Sequence, residues 1–174
     1  MIFYLSGGME YKTNLGVKWR TWITGELKEW GHGVVDPTQL EAPENNDERL
    51  QYKLGRLKRE GRFDEIREIA RHSMFRKDIF GIQMCDATIV FYDKAVQRGA
   101  GTISEAWESY REGKPVYVVT EFSLTELPSW LIGESVALFT SFEAFFTYIK
   151  DESRLLADLL SAREIRREVL MGLY

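Results

Sequence analysis

Glu105 stands in the run Gly99-Ala100-Gly101-Thr102-Ile103-Ser104-Glu105, where a glycine turn leads into a helical pattern. A carboxylate in the first turn of a helix, beside a glycine loop, stays ionised and can serve as a nucleophile. The same residues Thr102-Ile103-Ser104-Glu105 match a capping box, in which Thr102 caps the helix and Glu105 reaches back to a backbone N–H. The pattern alone leaves both readings open. The free N–H groups of Gly99-Ala100-Gly101 favour a phosphate, and a plain turn is the competing account. The run begins like a dinucleotide fingerprint, but Ser104 occupies the third glycine position and the loop follows a late strand. No Gly-Lys-Ser/Thr follows, which excludes a P-loop.

Other side chains with chemical capacity are scattered along the chain. Asp78 opens a helical pattern over residues 79–84, where a carboxylate ordinarily caps the helix or meets its dipole. Asp86 reads as a helix-ending or turn residue, Tyr4 as core, and His32, between two glycines, as a turn residue without chemistry. Arg71, His72 and Arg76 read as helix-surface residues. A single Cys85 and two histidines provide no zinc ligand set, so no metal or organic cofactor is expected.

The elements that must position these residues follow from apolar runs and stop signals. Residues 2–5 predict a buried strand halted by Ser6-Gly7-Gly8, and Val17 to Trp30 a helix stopped by Gly31 and Gly33. Val34-Val35 predicts a brief strand ending at Asp36-Pro37. Residues 44–72 carry apolar spacings of three and four on both sides of Gly61, giving two short helices that form a lid or an interface. A separate amphipathic helix is expected over 75–84 and a central strand over 87–92. After the glycine turn come a helix to about Arg111 and a strand over 116–119. A helical turn over 127–132, a strand over 137–139 and a helix over 142–149 complete the pattern. In the tail, Leu155, Leu156, Leu159, Leu160, Ile165 and Val169 lie along one helical face.

Strands alternating with helices predict an α/β fold, a parallel sheet of about five strands covered on both faces. Residues 1–150 form the α/β domain with a helical insert at 44–72, and 151–174 its C-terminal helix. Ligands of open parallel sheets bind at the carboxyl ends of the strands. The loops there carry Ser6-Gly7-Gly8-Met9-Glu10, Asp36-Pro37, Asp93 with Gly99-Ala100-Gly101-Thr102, and Thr120-Glu121.

Composition narrows the function classes. The chain has 174 residues, 44% of them hydrophobic, enough for a sizeable core. Its formal charge of −4 is opposite to the basic footprint of a long nucleic-acid binder. No apolar run reaches the roughly 18 residues of a membrane span, and the N-terminal apolar stretch lacks a basic n-region, so a cytoplasmic protein without membrane partners is expected.

In order and spacing, Tyr4-Leu5-Ser6-Gly7-Gly8, Asp36-Pro37, Asp78 ahead of Cys85-Asp86-Ala87, Ile89-Val90-Phe91-Tyr92-Asp93, Gly101-Thr102-Ile103-Ser104-Glu105-Ala106 and Gly113-Lys114-Pro115-Val116 resemble the nucleoside 2-deoxyribosyltransferase-like family. The resemblance covers about residues 2–120. It implies a flavodoxin-like fold and cleavage of the N-glycosidic bond of a nucleoside or nucleotide. It further implies that Glu105 attacks the anomeric carbon, Tyr4 orients it, and Asp78 handles the proton of the departing base. Ser6, Gly7, Gly8, Met9, Asp36, Asp93, Arg98, Gly99, Ala100, Gly101 and Thr102 are the expected substrate-binding residues.

At one position the chain departs from the family's transferases, which carry an aspartate for the sugar 5′-hydroxyl where this chain has Gly99. Members that hydrolyse nucleoside 5′-phosphates carry a small residue there. A nest at Gly99-Ala100-Gly101, with Arg98 or Lys94 adding charge, suits a phosphate. The first loop lacks the arginine of those members. The expectation is therefore a (2-deoxy)nucleoside 5′-phosphate or nucleoside, with hydrolysis ahead of base exchange, in a homo-oligomer. The rival readings are a non-catalytic nucleotide sensor and an NAD glycohydrolase.

Overall fold

The computed structural model describes residues 1–12, 14–40 and 50–172. Five parallel strands form one sheet in the order β2-β1-β3-β4-β5. They are β1 (Ile2–Gly7), β2 (Gly33–Val35), β3 (Ala87–Tyr92), β4 (Val116–Thr120) and β5 (Ala137–Phe139). This is the flavodoxin-like order, whose switch point lies between β1 and β3, so the loops leaving those two strands diverge and open a crevice. β1 extends past the expected Leu5 because Ser6 and Gly7 pair with Val90 and Phe91. Ser6 is therefore a strand residue and not part of the turn.

Period-two alternation divides the side chains between the two faces. Phe3, Leu5, Ile89, Phe91, Tyr117 and Val119 pack against Ile23 and Leu27 of α1 (Val17–Glu29) and Phe145, Phe146 and Ile149 of α7 (Phe142–Ile149). On the opposite face, Val90, Tyr92, Val116 and Val118 meet Ala106 of α5 (Gly101–Arg111) and Leu131 of α6 (Ser129–Glu134). Tyr4 joins a smaller group with Ile82 and Cys85.

The insert yields α2 (Leu50–Arg59) and α3 (Phe63–Ile69), joined at Gly61, whose φ of 70° only glycine adopts readily. The part of the insert at 44–49 lies outside the described residues. The helix expected over 75–84 is not a separate element. α3 runs without a break through a π-helical stretch, Ala70–Phe75, into α4 (Arg76–Gln83), because Ile69, Phe75 and Arg76 all keep right-handed helical dihedrals.

α8 (Glu152–Met171) divides the expected apolar stripe. Leu155 and Ala162 are buried, while Leu156, Leu160 and Val169 are exposed. Asp158 accepts hydrogen bonds from Tyr117 and Tyr148, tying the helix to the sheet. No helix among the described residues is long and apolar enough to cross a membrane.

Candidate active site

Three elements meet at the hydroxyl of Tyr4. Its ring is fully buried beneath α4, and its oxygen stands 3.3 Å from Asp78 Oδ1 on α4 and 3.2 Å from Glu105 Oε1 on α5. Ser6, two residues along β1 and so on the same face, donates its hydroxyl to Glu105 Oε2. One strand thus supplies two hydroxyls to one carboxylate.

Both local explanations for the carboxylates give way. The capping box at Thr102 does not form: Ala100 is the N-cap of α5, without a side-chain cap, and Glu105 turns into the cleft instead. Asp78 does not open a helix, because the helical backbone continues through Phe75 ahead of it. The π-helical stretch just before Asp78 is a type of turn that recurs at functional sites.

Electrostatics correct a further expectation. Burial pushes the Glu105 carboxyl up to about 7, and the charge of Asp78 adds to this against Ser6, Arg20 and Tyr4, which favour the ionised form. Glu105 is therefore not held permanently ionised: α5 starts at Gly101 and has no acidic residue in its first turn, so Glu105 lies past the helix terminus, and loss of water dominates. Burial first, then Glu105 and Asp78, hold Tyr4 well above the usual phenol range, so it remains a neutral hydrogen-bond donor.

A cleft open to solvent lies over these groups. Gly7, Gly8, Met9, Gly99, Gly101 and Thr102 line it together with Asp78 and Glu105. Gly8 allows the first and third loops to meet, for a methyl there would stand 2.7 Å from Ala95 Cβ. The N-terminus of α5 carries no acidic residue in its first turn, and the space above Gly101 is open.

Six expected residues lie outside the lining of this cleft: Tyr4 and Ser6, which reach Glu105 from β1, and Asp36, Asp93, Arg98 and Ala100. Asp36 accepts from the Thr38 amide at 2.9 Å and its hydroxyl at 2.8 Å, with Arg20 Nε 3.6 Å away. Asp93 accepts from the amides of Ala95 and Val96 and pairs with Lys12, fastening the loops after β1 and β3 to each other. Arg98 stacks over the ring of Tyr11 at 4.3 Å, and Ala100 is exposed at the head of α5.

Glu10, at the end of the first loop, completes the lining together with Tyr11, Leu50, Met74, Lys77, Ala95 and Val96, which sequence reasoning missed. Met74 and Lys77 lie within about one turn of Asp78 and share its wall, a signal available only once that helix is known to be continuous. Lys114, in the run Gly113-Lys114-Pro115-Val116, donates to the carbonyls of Ile82, Gln83 and Cys85 and closes the C-terminal end of α4. Among the described residues no group of three His, Cys, Asp or Glu could hold a metal ion.

No family model and no curated protein matches the sequence. Among solved structures, the 2-deoxyribosyltransferase of Bacillus psychrosaccharolyticus is similar at a TM-score of 0.64 and 19% identity, over 89% of this chain and 96% of that one. A conserved protein of Enterococcus faecalis V583 is similar at a TM-score of 0.62 and 12% identity, over 87% and 98% of the two chains. The CMP N-glycosidase of Clostridium botulinum is a looser match, with a TM-score of 0.48 and 14% identity over 86% and 98%. At these identities the fold is what is shared.

Proposed function

We propose that this protein cleaves the N-glycosidic bond of a nucleoside or (2-deoxy)nucleoside 5′-phosphate through a covalent glycosyl–Glu105 intermediate, released to water ahead of a second base. The observation that carries this reading is the pair of carboxyl groups joined through the single hydroxyl of Tyr4. Their bridged oxygens lie no more than about 6.5 Å apart, at the lower limit for an inverting carboxylate pair and compatible with the shorter spacing of double displacement. The order of motifs along residues 2–120 and the fold held in common with a 2-deoxyribosyltransferase support the same chemistry.

A phenol has one proton and can donate to one carboxylate at a time. One additional proton resolves this: with it on Glu105, the carboxylate of Asp78 accepts from Tyr4, and its passage to Asp78 leaves Glu105 ionised, the reacting form, accepting from Tyr4 and Ser6. In that state Glu105 attacks C1′ of the sugar, and the bond from C1′ to the base breaks with its electron pair passing to the base nitrogen. Asp78 gives its proton to the departing base. Water then attacks C1′ of the glycosyl ester, returns a proton to Asp78 and frees Glu105. A second base in place of water gives exchange.

The Gly99-Ala100-Gly101 turn supports a 5′-phosphate, because it leads into a helix N-terminus without side-chain cap or carboxylate. The test is chromatography of wild type and Glu105→Ala with each common nucleoside and nucleoside 5′-phosphate, with and without a free second base. Base release by wild type alone, from phosphates, is expected. Turnover by Glu105→Ala at the wild-type rate would overturn the mechanism.

A further inference from the structure

Arg20, on α1, is fully buried, and neither the motifs nor the proposed chemistry accounts for it. A guanidinium out of water requires partners in compensation. Here they are carbonyls: Arg20 donates to Gly7 O at 2.8 Å, Leu15 O at 2.9 Å and Leu5 O at 3.4 Å. Asp36 lies 3.6 Å away, and the guanidinium carbon sits 4.6 Å from the centre of the Trp19 ring.

Strand geometry explains why those carbonyls are available. Met1 O accepts from Gly33 N, so the odd-numbered carbonyls of β1 face β2, while Ile2 O accepts from Asp86 N on the β3 side. The β2 pairing ends at Val35, opposite Tyr4. Leu5 O and Gly7 O therefore point to an edge where no strand remains, and both flank Ser6, the residue that donates to Glu105.

We propose that Arg20 is a positioning residue of this site, its guanidinium standing in for the missing stretch of β2 and holding Leu5-Ser6-Gly7 extended so that Ser6 Oγ is aimed at Glu105. The proposal rests on the reading of Glu105 as the reactive carboxylate. Arg20 also acts on Glu105 through its charge, which favours the ionised form, against Asp78. The charged and titratable groups around the pair are Tyr4, Asp78 and Lys77 on the cleft side, and Asp36 and Asp93 around Arg20, with Asp93 itself paired to Lys12.

The test follows the titration of the Glu105 side chain by carboxyl ¹³C NMR, its signal assigned by loss in Glu105→Gln. In Arg20→Met the midpoint is expected to rise and base release to fall by ~10–100-fold, mainly in kcat. Arg20→Lys restores the charge without the planar fork and is expected to return the midpoint toward wild type while kcat stays low. Asp36→Asn keeps every carbonyl contact of Arg20 and relieves its charge of its partner, so the midpoint is expected to fall; this arm stands even if Arg20→Met does not fold. A folded Arg20→Met with a wild-type midpoint, or an Arg20→Lys that restores kcat as fully as the midpoint, would overturn the proposal. Shifted midpoints in a protein that cleaves no glycosidic bond would leave Arg20 in this role and remove the proposed reaction instead.

Discussion

Gly81 lies against the ring of Tyr4 so closely that a methyl group on its α-carbon would stand 2.9 Å from Cε2. Gly81 is on α4, one turn after Asp78, and its missing side chain is what lets that helix descend until Asp78 Oδ1 comes within 3.3 Å of the Tyr4 hydroxyl. The contact between two carboxylate-bearing helices and one phenol thus depends on a residue with no chemistry of its own.

Gly81→Ala separates propensity from packing. In a helix, alanine gains about 1 kcal/mol over glycine. Against this, the ring of Tyr4 must move or α4 must lift, an overpacking cost of about 1–3 kcal/mol. The expected result is a less stable protein by thermal melt with turnover reduced roughly tenfold, because Asp78 moves off its hydrogen bond. A variant with higher stability and full activity would show that the helix has room to shift.

Glu105→Gln separates catalysis from stability. Turnover is expected to fall at least about 10³-fold, because an amide is not a competent nucleophile. The folded carboxyl is raised to about 7 from an ordinary 4.5, so the folded chain keeps a proton that the unfolded chain has lost. Wild-type stability therefore declines as pH rises from about 4.5 to 7. The variant is expected to melt at a higher temperature than wild type above pH 7, with the gain disappearing near pH 4.5. A loss of both activity and stability at pH 8 would assign Glu105 a structural role.

The fold was legible where one face of an element is fully apolar. The strands at 87–92 and 137–139 and the helix at 142–149 match their expected bounds, since each is a dense apolar run bordered by polar or turn residues. The path from α3 into α4 was not legible, because a π-helical stretch changes the phase of the periodicity and mimics a boundary. Among the site residues, Glu105 and Asp78 were visible as types but masked by ordinary capping patterns, and only the hydroxyl of Tyr4 resolves which way they turn. Arg20 was invisible because a single arginine on an amphipathic helix reads as surface; its burial depends on where β2 stops.

Glu134, at the end of α6, provides a contrast. It is buried, and burial pushes its carboxyl up to about 7, with Trp130 opposing. It is outside the cleft lining. Glu134→Gln is expected to raise the melting temperature above pH 7 by the same linkage, worth on the order of 2–3 kcal/mol, and to leave base release unchanged. Thermal melts at pH 5 and pH 8 beside an activity assay check this; a fall in activity would connect α6 to the reaction.

Gly99→Asp tests the choice between phosphate and hydroxyl. Gly99 lines the cleft with the N-terminus of α5 beside it, and a methyl at its α-carbon would meet only the ring of Tyr11, at 3.5 Å, an ordinary contact. A larger side chain is therefore accommodated without displacing backbone. An aspartate there brings a negative charge to the place where a phosphate would use free N–H groups, and repulsion between like charges at ~4–6 Å in a partly dry cleft amounts to a few kcal/mol. The expected outcome is a rise in KM for nucleoside 5′-phosphates of about 10²-fold. For unphosphorylated nucleosides KM should hold or fall, because the carboxylate can accept a hydrogen bond from the 5′-hydroxyl. The two substrate classes should therefore exchange rank in kcat/KM. Equal losses on both would mean that the turn at Gly99 shapes the cleft without contacting the 5′ position, and the preference for a phosphate would fall with it.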